Sequence, residues 1–176
     1  MVPINSILEL LAGGDRRSIG RSDEVVQLVL QQPGKFAELF QGFYIDDPVI
    51  RMRTADAIEK ITAVNPQLLF PYKQAILDMV DQISQIEVQW HLTQIIPRLP
   101  LDQKEIGKSY SSIEKYLESS SAIVRAFSLQ CLFDLSKKDP GYINVTKKHL
   151  ETELQNPSKA IQSRCRNLLK EIKSYE

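Results

Sequence analysis

The stretch DDPVIRMRTADAIEKI, residues 46–61, reads as a helix: Asp47 stands where a side chain caps free backbone N–H groups, and Pro48 fits the first helical position. Laid beneath it, three later stretches repeat its pattern: VQWHLTQIIPRL (88–99), VRAFSLQCLFDL (124–135) and IQSRCRNLLKEI (161–172). The first column is Ile50, Val88, Val124, Ile161, in steps of 38, 36 and 37 residues. The eighth is Ala57, Ile95, Cys131, Leu168; the ninth is Ile58, Ile96, Leu132, Leu169; the twelfth is Ile61, Leu99, Leu135, Ile172. Apolar residues at these offsets form one stripe of an α-helix.

A second register runs between these helices. Leu69, Ile106 and Ile143 are 37 residues apart, as are Ile76, Ile113 and Leu150, and Val80, Leu117 and Leu154. One period further back, the last two sets reach Leu39 and Phe43. Two helix families sharing one period describe a helical hairpin that cannot bury its stripe alone and must stack on its neighbours. The expectation is an all-α chain, a right-handed α-α superhelix of about four to five hairpins in a single domain, residues 1–176. Residues 1–45 form an irregular N-terminal capping unit with a helix at Asp23–Gln31 that Ser22 caps. Residues 46–83, 84–118 and 119–156 form repeats, and 157–176 a C-terminal half repeat. Asn65–Pro66, Asp139–Pro140, Ser119–Ser121 and Pro157–Ser158 mark helix starts, and Pro97 should kink or shorten its helix.

Composition limits the function classes. Lys plus Arg is 22 and Asp plus Glu is 22, so formal net charge is zero, which weighs against a nucleic-acid partner held by phosphate neutralisation. No apolar run approaches the ~18 residues of a membrane span, and the start MVPINSILELLAGG lacks a basic segment ahead of its apolar run. Cys131 and Cys165 form no CxxC pair and read as buried thiols of a cytoplasmic protein. The two histidines, His91 and His149, lie in different units with no acid or cysteine at metal-ligand spacing. No metal, cofactor or catalytic constellation is expected, and an enzyme is not.

Asp–Pro, an aliphatic residue, Arg and then a small–polar–small–aliphatic core resembles the first helix of a HEAT repeat. SSSAIVRAFSLQCLFDL (119–135) resembles it too, with Val124–Arg125 in place of Ile50–Arg51. Gln89 and Gln162 stand where the other units would carry that Arg. The period is shorter than the ~40–47 residues of HEAT and armadillo units. The resemblance covers 46–172 well and 1–45 loosely, and the whole chain also looks like small bacterial HEAT-repeat proteins, which implies a fold more than an activity. It implies a structural ladder through Arg51 and Arg125. It implies a concave face lined by the second helices, with Gln74, Asp78, Ser111, Lys115, Lys148 and Thr152 as a polar, weakly basic strip for a protein or peptide. On the convex side, opposite the core stripes, Met52, Trp90 and Phe133 form a rival exposed patch. Arg53 sits in a column with His91, Phe127 and Arg164 that shares no residue type, and reads as a flank position whose loss alters a surface. The loop GGDRRSIGRSDE (13–24) is a candidate anion site through Arg16, Arg17 and Arg21.

Two other functions follow from the same resemblance. A HEAT-like DNA-repair module would need a basic groove with an acid and aromatics converging on it, and the repeat columns show none. A chromophore- or cofactor-handling protein would need a deep pocket.

Overall fold

The computed structural model describes residues 6–174. Met1–Asn5 of the N-terminal unit and of the MVPINSILELLAGG stretch lie outside the described residues, as do Tyr175 and Glu176. The described residues are all-helical, 80% helix, with no strand among them. No described helix is long and apolar enough to cross a membrane.

The described residues form ten α-helices: α1 (Ile7–Leu11), α2 (Ser22–Gln31), α3 (Phe36–Gln41), α4 (Pro48–Val64), α5 (Lys73–Gln82), α6 (Ile86–Ile95), α7 (Gln103–Glu114), α8 (Ala122–Lys138), α9 (Ile143–Glu153) and α10 (Lys159–Lys173). Local chemistry sets their ends. Asp47 Oδ1 accepts from Val49 N at 2.8 Å and Ile50 N at 3.3 Å, with Pro48 following. Ser121 and Ser158 cap α8 and α10. Asp102 and Glu105 form a reciprocal capping box on α7, satisfying two free N–H groups at once. Pro66 and Pro140 open 3-10 turns that lead into α5 and α9. Pro97 stops α6 at Ile95: a 3-10 turn, Ile96–Arg98, takes over because proline has no N–H to continue the α-helix. Ser22 does not cap α2. Arg21 holds the cap position, and the Ser22 hydroxyl bonds Asp56 Oδ2 at 2.5 Å, tying α2 to α4.

Helices α2, α4, α6, α8 and α10 form a row in which each packs on the next, while α5, α7 and α9 pack against that row. Interior members of the row are buried on more than one side. In α8, Val124, Cys131, Leu132 and Leu135 join one apolar cluster, and Ala126, Leu129 and Phe133 join a second with Ile161, Cys165, Leu168 and Ile172 of α10. In α4 every residue from Met52 to Ile58 is buried. This corrects the convex patch: Met52 and Phe133 are buried, and Trp90 is half-buried with its indole Nε1 enclosed. The side opposite a stripe faces solvent only in a helix with one neighbour, and α4, α6 and α8 have two.

Ile96 is fully buried at the end of α6. Ile96→Asp is expected to cost more than ~3 kcal/mol through an unpaired buried carboxylate. The urea midpoint, followed by circular dichroism, checks it; an unchanged midpoint would mean that the site is not a core position.

Candidate functional site

Arg53 is 3% exposed, and its guanidinium points into loop 11–18. It donates to the carbonyl oxygens of Leu11 at 2.8 Å, Gly13 at 2.6 Å, Ser18 at 3.0 Å and Asp15 at 3.3 Å. The loop leaves these carbonyls without helical partners, and a guanidinium, with five donors in a fixed fork, satisfies several at once. Gly20, at φ +55°, passes so close that a Cβ there would lie 2.6 Å from Arg53 Cζ. The loop is thus built around a cation of the protein's own. Of its arginines, Arg16 reaches Glu87 at 3.5 Å, Arg21 pairs with Glu24 at 2.7 Å, and Arg17 is exposed. The carbonyls turn inward where an anion would need N–H groups. Arg53 is therefore no surface position: it anchors the N-terminal segment to α4.

The ladder column has a different membership from that expected. Arg51 Nη1 donates to Ile45 O at 2.8 Å, Gln89 Nε2 to Ile83 O at 2.9 Å, and Gln162 Nε2 to Asn156 O at 2.8 Å. Each donor reaches the carbonyl six residues earlier, in the turn that enters its helix. Glutamine therefore does here what arginine does. Arg51 adds a bond between units, Nε to Gln85 Oε1 at 3.0 Å, and Gln85 returns one to Pro48 O. Arg125 does not join: its Nε is buried without a partner.

The column that mixed Arg53, His91, Phe127 and Arg164 holds a stack. The His91 ring lies on Trp90 at 4.6 Å, Trp90 meets Phe127 at 5.8 Å, and the Arg164 guanidinium sits 4.8 Å over Phe127. His91, Phe127 and Arg164 differ in type yet join one stack through Trp90, because each needs only a flat face, and Arg53 stands outside it. Burial depresses the His91 pKa, against a smaller upward pull from Asp56 and Glu59 of α4.

Gln74, Asp78, Ser111, Lys115, Lys148 and Thr152 are all exposed, on α5, on α7 and the turn after it, and on α9. They are less basic as a group than their sequence suggests. Lys115 lies 3.4 Å from Asp81, Asp78 takes a bond from Gln74 at 2.8 Å and lies 3.9 Å from Lys108, and His149 Nε2 meets Glu114 at 2.7 Å. The carboxylates come from neighbouring units, roughly one period away, so alignment within one unit hides them. Buried straps run beneath: Tyr110 OH to Thr146 at 2.8 Å and Tyr116 OH to Val80 O at 2.7 Å. Among the described residues, no group of three or more His, Cys, Asp or Glu could hold a metal ion.

Between the second helices lie two open cavities. One, of about 550 Å3, is lined by Phe43, Tyr44, Ala75, Asp78, Met79 and Ile83. The other, of about 490 Å3, is lined by Glu114, Leu117, Glu118, His149, Thr152 and Glu153. No family model matches the chain, and no curated protein matches its sequence.

Arg53→Ala is expected to cost about 3 kcal/mol or more, since it strands several loop carbonyls. Arg51→Ala, half-exposed and rehydrated on deletion, is expected to cost about 1 kcal/mol. Thermal melts of the two variants give the order; equal losses would contradict it. A second expectation concerns pH. Because the His91 pKa is lowered on folding, the unfolded chain binds the proton more readily. The stability this contributes is complete above the unfolded value of about 6.5 and declines as pH falls towards the folded value. Urea melts from pH 7.5 to 5.5 should show a smaller decline in His91→Gln than in the wild-type protein.

Proposed function

We propose that the chain is a HEAT-like right-handed superhelix acting in the cytoplasm as a non-enzymatic scaffold that binds a polypeptide along the face made by α5, α7 and α9. The observation that carries this reading is a contrast between the two sides. The second helices present six exposed polar residues beside cavities of about 550 and 490 Å3, while Met52 and Phe133 on the other side are buried. A long polar face with recesses suits a chain that makes many weak contacts and a few deep ones, so affinity rests on anchors rather than on area.

The test compares two surface variants. In one, Ser111→Trp and Lys148→Glu are combined; in the other, Ile123→Ser changes an exposed residue at the start of α8. A polypeptide retained by the wild-type protein from native lysate should be retained at least tenfold less by the first variant and equally by the second. Loss in the second alone would place binding on the row of long helices. Submicromolar, salt-sensitive binding of duplex DNA by fluorescence anisotropy would replace the scaffold reading with the nucleic-acid one.

A further inference from the structure

The two cavities occupy the same place in the repeat. Phe43 and Tyr44 of the first stand 74 residues, two periods, before Leu117 and Glu118 of the second. Ala75, Asp78 and Met79 stand the same distance before His149, Thr152 and Glu153. The equivalent gap between them is closed. Tyr116 falls at the Met79 and Glu153 position and spans the gap to Val80 O at 2.7 Å. Asp81 is held by the Ser112 hydroxyl and by Lys115, and a void of only about 10 Å3 lies beside it, among Leu77, Val80, Lys108, Ser109 and Ser112. A further recess of about 370 Å3, bordered by Ser84, Ile86, Lys115 and Glu118, shares Ser84 with the first cavity and Lys115 and Glu118 with the second. The closed gap thus has a way around it.

The two open cavities differ in chemistry. The first has one apolar wall, where Tyr44, 61% exposed, lies beside Phe43, Ala75, Met79 and Ile83, and a polar remainder made by Arg51, Asp78, Gln82, Ser84 and Gln85. The second carries Glu114, Glu118 and Glu153 against Lys115 and His149; Lys115 is turned to Asp81 and His149 to Glu114, which leaves the lining acidic in balance. Packed helices lie ~8–10 Å apart, and second helices parted by open cavities stand at the wide end of that spacing, so two steps span about 20 Å. An extended chain covers that in about six residues at ~3.3 Å each.

The geometry points to a bipartite docking groove for an extended polypeptide that places an aromatic or aliphatic side chain beside Tyr44 and Met79 and, about six residues away, a Lys or Arg beside Glu118 and Glu153. This inference rests on the polypeptide-binding reading and specifies the partner's chemistry. The apolar end supplies the anchor, and the acidic end selects against acidic segments by like-charge repulsion.

The probe is a blocked Gly/Ser peptide with one Phe and, six residues on, one Arg, made in both orders. It is titrated into the 15N-labelled full chain and followed by amide chemical shifts. In one order, amides around Tyr44 and Met79 and around Glu118 and Thr152 should move together with one apparent dissociation constant. Shortening the spacing to two residues, or replacing Arg by Glu, should weaken binding at least fivefold. Tyr44→Ser and Glu118→Lys, both at exposed positions, should each do the same while leaving the remaining amide spectrum intact. Equal binding of the short-spaced peptide, response at one cavity only, or no response at either with any peptide would overturn the bipartite groove. The broader reading is judged separately by the lysate comparison, which uses no designed peptide. Face-directed capture there together with spacing-indifferent peptides here would remove the inference and leave the scaffold standing.

Discussion

Everything in this molecule follows from one constraint: no helix of the long row can bury its apolar surface against a single neighbour. Helix α8 divides its buried residues between two clusters, one continuous with α4 and α6 and one shared with α10. Helix α4 is buried over Met52 to Ile58 without a break, including Arg53, Thr54 and Asp56. A polar group in such a position is bonded or it destabilises the helix; Arg53 and Asp56 are bonded, whereas Thr54 Oγ1 is buried without a partner. Arg53 finds loop carbonyls, Asp56 finds Ser22 and Lys60, and Arg98 finds Glu59 O, Thr62 and the Glu59 carboxylate.

Those bonds fix how units sit on one another. Apolar stripes tolerate sliding, because one aliphatic contact resembles the next. Hydrogen bonds between named atoms of different units do not. Tyr116 reaches a backbone carbonyl of α5, Tyr110 reaches Thr146 of α9, and Arg51 exchanges contacts with Gln85 across a turn. Each is worth only about 1 kcal/mol net. Their larger effect is to leave a donor or acceptor orphaned in any shifted register, so they specify the arrangement more than they stabilise it.

This explains which features were legible in the sequence. The helical character, the period and the caps at Asp47, Ser121 and Ser158 depend on local chemistry and on a stripe that recurs, and both survive in a linear string. Arg53 escaped because its partners are carbonyls, which every residue carries, spread over residues 11–18. Met52 and Phe133 escaped because a stripe has an opposite side only when one face is covered. The ladder is visible as a polar column, but its signature is a side-chain N–H donor rather than arginine. The function of that column is to supply an N–H to the carbonyl six residues back, and Gln89 and Gln162 supply one equally well. The exposed strip on the second helices was legible by periodicity, whereas its carboxylate partners, roughly one period away, were not.

Repetition also shapes the candidate site through its exceptions. A stack of identical units would present identical gaps between second helices, each offering the same contact. Here one register position carries Met79, then Tyr116, then Glu153. The methionine adds to the apolar wall of its recess, the tyrosine fills its gap and spends its hydroxyl on a backbone carbonyl, and the glutamate joins Glu114 and Glu118 around a recess rich in carboxylates. Tyr116 is also buried in the main apolar cluster and Met79 packs against it, whereas Glu153 belongs to neither cluster. In the proposed reading, substitutions at exposed positions of the second helices change the recesses, while the bonds that hold Arg53, Arg98 and Tyr110 lie elsewhere in the stack.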